Sequence, residues 1–229
     1  MQSVYNATDL PLKEEYDYII VGGGTAGCPL AATLSDKFSV LVLERGSVPA
    51  AYPTVLTADG IFANLLQEDD GNTPAQRFTS EDGVANVRGR VLGGSSMINA
   101  GFYSRADDHF YNESGILWDI DMVDTAYKWV EETIVSLQSN LSAWQSIFKQ
   151  ALLEAGVAPD NGLSLHHLVG TKASGSTFDG QGRRHGAVEL LNRANLKNLR
   201  VAVEAYVDKI IFSSNVSREL QLWLIIYDT

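Results

Sequence analysis

The sequence predicts an α/β fold that is built on a parallel sheet. An apolar, β-prone run at residues 18–21 leads into three glycines at G-x-G-x-x-G spacing: Gly22, Gly24 and Gly27. Residues 26–35, rich in alanine and leucine, have the composition of a helix, and residues 38–43 form a second apolar run that ends at Glu44. This strand–turn–helix–strand order is the context in which the glycine pattern indicates a dinucleotide fingerprint.

Each residue of the fingerprint has its own physical role. Gly22 permits the tight turn, Gly24 lets the backbone approach a pyrophosphate, and Gly27 lets the helix pack closely on the strand. The helix begins near Thr25 and Ala26, where free N–H groups and the positive end of the helix dipole favour an anion. The sequence therefore predicts the phosphates of the cofactor at this turn.

Glu44 lies 20 residues after Gly24, at the end of the second strand. Its carboxylate can accept hydrogen bonds from both hydroxyls of an adenosine ribose, as the acid at this position of the fingerprint does. The same charge would repel a 2′-phosphate, so the sequence disfavours NADP.

Composition excludes several classes of binding partner for this protein. The chain has 229 residues and a formal net charge of −11, which argues against nucleic acid and anionic membranes. No apolar run approaches the roughly 18 residues of a membrane span. The one cysteine, Cys28, excludes a disulfide within the chain, and we expect it to be a small buried thiol. No C-x-x-C motif or His/Cys cluster indicates a metal site.

Three segments are predicted along the chain: a polar surface arm at residues 1–15, the nucleotide-binding portion at 16–213, and a divergent tail at 214–229. Residues 47–88 form a long excursion with many turn residues and one apolar turn near 61–66. Such a loop either covers the sheet or forms a lid over the cofactor.

The later elements follow from hydrophobic periodicity. Helices are predicted at residues 122–134 and 143–155, the second ended by Gly156, and a short helix is predicted at 187–195. The strands predicted at 198–203 and 206–212 should extend the sheet that begins at Tyr18. Residues 220–227 are apolar and β-prone.

A second organised site spans residues 89–112, where Gly93-Gly94 precedes Ser95-Ser96. Adjacent N–H groups in such a turn form an anion-binding concavity, which suits a phosphate or an electron-rich ring edge. An ordinary surface turn of small residues is the alternative. Ser95 lacks the G-x-S-x-G elbow of a triad nucleophile.

Together, the two sites resemble the glucose–methanol–choline (GMC) oxidoreductases, a family of FAD proteins. The second site is similar to the family's N-terminal signature at Gly89-Arg90, Leu92-Gly93-Gly94-Ser95-Ser96, Ile98-Asn99, Tyr103, Ala106 and Asn112. Within the family, the chain resembles the plant hydroxynitrile lyases that contain FAD, the (R)-mandelonitrile lyases, in phrases such as AYPTVLTADG, QEDDG and SGSTFD. The resemblance implies a Rossmann-like FAD-binding domain of GMC type with a parallel sheet, incomplete at the C-terminus.

The resemblance also implies FAD contacts on the nucleotide side. It places Thr25 and Ala26 at the pyrophosphate turn and Glu44 with Arg45 around the adenosine ribose. Val207 would meet the edge of the adenine through its backbone.

On the flavin side, Val91 and Ser95 would lie along the diphosphate and flavin. Four residues would approach the isoalloxazine ring: Asn99, Ala100, Gly101 and Phe102. No catalytic residue is assigned in this chain, because the family's general acid/base histidine lies in a C-terminal region that we expect to be missing here.

The function implied by the resemblance is FAD-dependent cleavage of (R)-mandelonitrile, a cyanohydrin, to benzaldehyde and hydrogen cyanide. The tail at 214–229 departs from the family, so the chain is expected to be a truncated form without the catalytic region. An FAD-dependent alcohol oxidase or dehydrogenase of the same family, and a non-catalytic truncated product, are the alternatives.

Four N-glycosylation sequons exceed the number expected by chance, and they begin at Asn6, Asn112, Asn140 and Asn215. The start of the chain has no signal-peptide pattern. By resemblance, we expect the full-length protein to be monomeric and to belong to the secretory pathway, the vacuole or the extracellular space.

Overall fold

The structure is a computed structural model, and it describes residues 4–9, 15–137, 140–212 and 222–228. The chain forms two compact units, of which the first comprises Met1–Asn99 with Gly186–Thr229 and the second Ala100–His185. Among the described residues, no helix has the length and apolar character needed to cross a membrane.

The secondary structure alternates strands, α-helices and short 3-10 helices. The strands are β1 (Val4–Asn6), β2 (Tyr18–Val21), β3 (Val40–Leu43), β4 (Ala75–Thr79), β5 (Ala85–Gly89), β6 (Phe102–Tyr103), β7 (Asp160–Leu163), β8 (Thr171–Ala173), β9 (Gly175–Ser176), β10 (Leu199–Val203), β11 (Ala205–Phe212) and β12 (Leu222–Asp228). The α-helices are α1 (Gly27–Leu34), α2 (Ile61–Leu66), α3 (Asp108–Glu113), α4 (Ile120–Ile134) and α5 (Ala143–Glu154). The part of the chain that the structure describes also contains 3-10 helices at Ala7–Asp9, Pro49–Ala51, Pro53–Leu56, Ala58–Gly60, Gly94–Met97 and Ala187–Arg193.

A four-stranded parallel sheet is the centre of the first unit, and its strand order is β1-β10-β3-β2. All four residues of β3 are buried, as expected for an inner strand of a parallel sheet that is covered on both faces. Helix α1 packs against β2 and β3 and against the 3-10 helix Ala187–Arg193. The sheet and its crossover helix confirm the predicted α/β fold class.

Two strands differ from the sequence prediction. The segment predicted to be a surface arm contributes β1, which adds to the sheet beside β10. The prediction that residues 206–212 extend the sheet was wrong: the outer strands of the sheet are β1 and β2, and β11 pairs with neither of them. Strand β11 instead pairs antiparallel with β12, which lies within the predicted tail.

The excursion at residues 47–88 has more structure than its composition suggested. It contains three 3-10 helices, α2 at the predicted apolar turn, and the antiparallel hairpin of β4 and β5. Val55 and Ala75 of this region form a buried cluster with Val91, Met97 and Ile98. The excursion is therefore packed into the core of the first unit through these apolar side chains.

The second unit contains the two longer helices where the periodicity predicted them. The Asp119 side chain accepts a hydrogen bond from Met122 N and caps α4, while Ser142 and Gln145 form a capping box on α5. Arg105 binds Glu131 through two nitrogens, each at 2.6 Å, and Asp124 at 2.8 Å. These charge-assisted bonds fix α4 to the chain that precedes α3.

Candidate cofactor site

The three fingerprint glycines are surrounded differently. A Cβ atom on Gly22, whose φ is +98°, would meet nothing within 4 Å, and one on Gly24 would lie 3.7 Å from the Gly94 Cα. A Cβ on Gly27 would come within 2.0 Å of the Gly22 carbonyl oxygen. Gly27 is therefore required by packing of helix on strand, whereas Gly22 and Gly24 leave open space above the turn.

Helix α1 begins directly after this turn and has no side-chain cap at Ala26. The first N–H groups of an α-helix have no partner within the helix, and the dipole gives this end a positive potential. The open space over Gly24 and the start of α1 together form a cradle for an anion such as a diphosphate.

Glu44 is buried at the end of β3, and both carboxylate oxygens accept backbone hydrogen bonds. Oε2 accepts from Gly23 N at 2.9 Å, and Oε1 accepts from Gly46 N at 2.8 Å. Burial raises the pKa of Glu44 above its ordinary value, although the N–H donors of Gly46 and Gly23 act in the opposite direction. Each oxygen keeps a second lone pair, so the side chain is oriented by the protein and can still accept from a ribose hydroxyl.

The second glycine turn, residues 93–95, packs directly on the fingerprint. Gly93 N donates to the Gly23 carbonyl oxygen at 2.6 Å, and a Cβ on Gly94 would lie 2.6 Å from the Gly24 Cα. The Ser95 hydroxyl oxygen accepts from Gly89 N at 3.0 Å. Two turns that are remote in sequence are thus held in backbone contact.

These elements enclose a cleft of about 370 Å³ in the first unit. Seven of the residues that the sequence predicted for the cofactor line it: Gly22, Gly24, Thr25, Glu44, Arg45, Ser95 and Val207. The remaining lining residues are Val21, Leu43, Gly89, Gly94, Ala205 and Tyr206. The volume lies in the usual range of ligand pockets, which is roughly 300–1,000 Å³.

The cleft has a positively charged wall at Arg45. Burial, followed by the charge of Arg88, lowers the pKa of the Arg45 guanidinium, and Arg90 acts in the same direction. Arg90 is paired with Asp69 at 2.5 Å, but among the described residues no carboxylate forms an ion pair with Arg45. An anionic ligand would therefore be stabilised beside Arg45.

The other predicted residues of the first unit do not line the cleft. Ala26 and Gly27 lie at the start of α1, and the Val91 side chain is buried in the apolar cluster beneath the second turn. Asn99 is exposed at the end of this part of the chain.

The remaining flavin-side residues belong to the second unit. Ala100 is exposed, and Phe102 is 88% exposed. Gly101 is buried with a φ of +77°, and a Cβ there would lie 2.4 Å from the Phe178 ring. A flavin contact at these residues stays a prediction.

Sequence reasoning missed several residues of the cleft. Gly23 orients Glu44, and Ala205 and Tyr206 precede Val207 along the wall. Gly23 lies between two glycines of the fingerprint, so the triple glycine carried a signal. Gly89 and Gly94 belong to the second motif but were not assigned to the cofactor, although Gly94 contacts Gly24 and Gly89 contacts Gly94. Nothing in the sequence pattern indicated Ala205 or Tyr206.

Cys28 confirms the prediction of a small buried thiol. Its Sγ donates to the Gly23 carbonyl oxygen at 3.2 Å, and burial raises the pKa of the thiol to about 12.

Among the described residues, no histidine lines the cleft. The cleft therefore has the properties of a binding site, with a cradle, an acid and a cation, and it matches the adenosine diphosphate part of FAD in chemistry.

Curated relatives are similar to nearly the whole chain. (R)-mandelonitrile lyase 1 of Prunus serotina is 62% identical over 93% of this chain and 38% of its own length. The sinalpyl alcohol oxidase Nec3 of Nesocodon mauritianus is 59% identical over 99% of this chain and 41% of its own length. The chain thus spans about two fifths of the length of these relatives.

Among solved structures, pyridoxine 4-oxidase from Mesorbium loti superposes with a TM-score of 0.65 and 24% identity, covering 91% of this chain and 46% of that one. At this identity the similarity supports the fold alone. The GMC oxidoreductase family model matches residues 16–221, which include both glycine turns and the whole cleft. The chain therefore belongs to the GMC oxidoreductases, and FAD is the cofactor of that family.

Proposed function

We propose that this chain holds the adenosine diphosphate part of FAD in the cleft and is the cofactor-binding part of a hydroxynitrile lyase. The observation that carries the proposal is the cleft itself, which brings together residues from the fingerprint, the second glycine turn and β11. The family model covers the same elements.

In this proposal the residues of the chain bind and orient the cofactor. The glycine turn and the start of α1 accept the diphosphate, Arg45 offsets its charge, and Glu44 accepts from the ribose hydroxyls. The bonds from Gly23 N and Gly46 N hold the Glu44 carboxylate in place before the ligand arrives. When bound, FAD supplies the isoalloxazine ring, which accepts a hydride in oxidases and shapes the electrostatics of the site in lyases.

The proposed substrate is a cyanohydrin, with (R)-mandelonitrile as the specific case. The support is the 62% identity to (R)-mandelonitrile lyase 1 of Prunus serotina. In the reaction, a base removes the hydroxyl proton, the C–CN bond breaks, and its electron pair leaves with cyanide, which takes up a proton. The products are benzaldehyde and hydrogen cyanide, with no net oxidation.

Alcohol oxidation is the second candidate, and one observation favours it. The alcohol oxidase Nec3 is 59% identical to this chain, almost as similar as the lyase. Both chemistries therefore occur in relatives that are about equally similar to this chain. The cleft described here supports binding of the cofactor in either case.

The deciding experiment compares two reactions of one preparation. The full chain is purified with FAD, and bound flavin is measured by absorbance. (R)- and (S)-mandelonitrile are then assayed for cyanide, and an aromatic alcohol is assayed for flavin reduction and peroxide. Cyanide release that favours the (R) enantiomer supports the lyase, because spontaneous decomposition of the cyanohydrin has no such preference. Peroxide without selective cyanide release supports the oxidase. Bound flavin with neither product supports a chain that binds the cofactor without catalysing either reaction, and a protein without flavin contradicts the proposed cofactor site.

We also propose that the protein is processed in the secretory pathway. Asn112 and Asn140, each the first residue of a sequon, are exposed in the second unit, while Asn215 lies outside the described residues. Expression in a secreting yeast, followed by treatment with an N-glycosidase, should lower the mass at these two sites. An unchanged mass would contradict the proposal.

A further inference from the structure

The turn between β10 and β11 has an unusual backbone. Glu204 has a φ of +58°, and among the described residues it is the one non-glycine residue with a positive φ. A side chain in this region costs free energy, so the conformation persists where the surroundings hold it. Glu204 directly precedes Ala205, Tyr206 and Val207, which line the cleft.

Two sets of contacts hold this turn. The Glu204 N–H donates to the Gly46 carbonyl oxygen at 3.1 Å, and the Ala205 N–H donates to the Glu44 carbonyl oxygen at 2.9 Å. The Glu204 carboxylate in turn accepts a hydrogen bond from Asn6 Nδ2. The Asn6 side chain, at the end of β1, therefore holds Glu204, and Glu204 directly precedes the residues of the cleft wall.

The amide of Asn6 is fixed in this orientation from its other end. Asn6 Oδ1 accepts from Thr8 N at 3.1 Å and from Thr8 Oγ1 at 3.0 Å, which leaves Nδ2 to face Glu204. Strand β1 is in register with β10, with Asn6 opposite Val203. Both the strand pairing and the side-chain bonds thus set the position of the donor atom.

The residue after Asn6 touches the same wall. Ala7 packs on the buried cluster of Leu41, Leu43, Ala202 and Ala205, as does Val207. A shift of β1 would therefore be felt at the wall through packing as well as through the hydrogen bond.

We propose that Asn6 is a positioning residue for the cofactor cleft, acting through Glu204 on the wall formed by residues 205–207. The inference rests on the proposed binding of FAD in this cleft. The proposal also gives Asn6, the first residue of the sequon Asn6-Ala7-Thr8, a role other than carrying a glycan. A glycan would be attached at Nδ2, the atom that donates to Glu204.

The test exchanges the donor and the acceptor. Asn6→Asp keeps the shape of the side chain but removes the donor and places a second carboxylate against Glu204. Combining Glu204→Gln with Asn6→Asp restores a donor–acceptor pair, in which residue 204 is now the donor and residue 6 the acceptor. Thr8→Ser is the matched control, because it keeps the hydroxyl that donates to Asn6 Oδ1 and leaves Asn6 and Glu204 unchanged. All variants of the full chain are made in bacteria, where no N-glycan is added.

Affinities for FAD and for ADP are measured by titration, together with the melting temperature. Asn6→Asp should weaken the affinity for both ligands about tenfold, or about 1.4 kcal/mol, at a temperature where the protein stays folded. The double variant should bind within about threefold of the unmodified chain, and Thr8→Ser, which keeps the hydroxyl, within about twofold. A role confined to stability would lower the melting temperature of Asn6→Asp and leave its affinities unchanged.

Two results would overturn the inference while leaving the proposed function intact. These are an unchanged affinity of Asn6→Asp for ADP, and a double variant no better than the single one. If the unmodified chain binds neither FAD nor ADP, the proposed function itself fails, and the inference fails with it.

Discussion

The two glycine turns of the cleft use the same residue type for different purposes. In the fingerprint, a Cβ on Gly22 would meet nothing within 4 Å, and one on Gly24 would make only an ordinary contact at 3.7 Å. In the second turn, a Cβ on Gly93 would lie 2.7 Å from the Met97 side chain, and one on Gly94 would lie 2.6 Å from the Gly24 Cα.

The difference separates glycines that serve a ligand from glycines that serve the fold. The protein leaves space open above Gly24, where we propose that the pyrophosphate binds, whereas the space at Gly94 is already filled by backbone. A substitution at each turn should therefore fail in a different way, and the two failures can be measured separately.

The largest expected effect belongs to Gly94→Ala. Its Cβ would overlap the Gly24 backbone, and its φ of +60° is unfavourable for a residue with a side chain. Overpacking and backbone strain together predict a loss of about 2–5 kcal/mol in the free energy of unfolding. Urea unfolding followed by circular dichroism measures this loss, and bound FAD should fall with it.

Gly180→Ala is the matched control for that variant. A Cβ on Gly180 would meet nothing within 4 Å, and its backbone is outside the left-handed region. We expect a change within about 0.5 kcal/mol. Equal stability of the two variants would show that the contact between the turns does not limit packing.

Gly24→Ala should have a smaller effect, confined to the ligand. Its Cβ makes no close contact within the protein, so we expect the melting temperature to stay near that of the unmodified chain. The methyl group would occupy the proposed space for the diphosphate, so the affinity for FAD should fall by more than about tenfold, or about 1.4 kcal/mol. Undiminished FAD affinity in this variant would mean that the fingerprint is a structural turn.

Local sequence signals were sufficient for the first half of the site. The spacing from Gly22 to Glu44 specifies a strand, a turn, a helix and a second strand, and the structure places β2, α1 and β3 there. Such signals are readable because each residue acts on its near neighbours. The cleft then brings Gly24, Glu44 and Ser95 together, as the two motifs suggested.

Long-range pairing was not readable in the same way. Residues 206–212 have the pattern of a strand, but the pattern does not state which strand is the partner. The available sides of β10 were taken by β1, from a segment whose polar surroundings suggested a surface arm, and by β3. The contact of Asn6 with Glu204 joins residues that are 198 positions apart, so no local pattern indicated it.

The smallest expected effect is a pH dependence of the free energy of unfolding and of the FAD affinity, both caused by titration of Glu44. Burial raises the pKa of Glu44 in the folded chain above its value in the unfolded chain, so the folded state binds this proton more tightly. The contribution of Glu44 to stability is then greatest below the ordinary pKa and is lost as the pH rises through the raised pKa. Glu44→Gln cannot titrate and supplies the reference.

In ligand-free protein, the free energy of unfolding of the unmodified chain minus that of Glu44→Gln should therefore decrease as the pH rises above the ordinary carboxyl pKa, and it should level off above the raised pKa of Glu44. Ribose hydroxyls donate to the charged carboxylate and lower its pKa, so FAD affinity of the unmodified chain should increase over the same pH range. Urea unfolding and FAD titration at matched pH values measure the two slopes. A stability difference that grows with pH would show that the N–H groups of Gly23 and Gly46 outweigh burial. In that case the second turn, through Gly93 and Gly23, would prepare a charged acceptor before FAD binds.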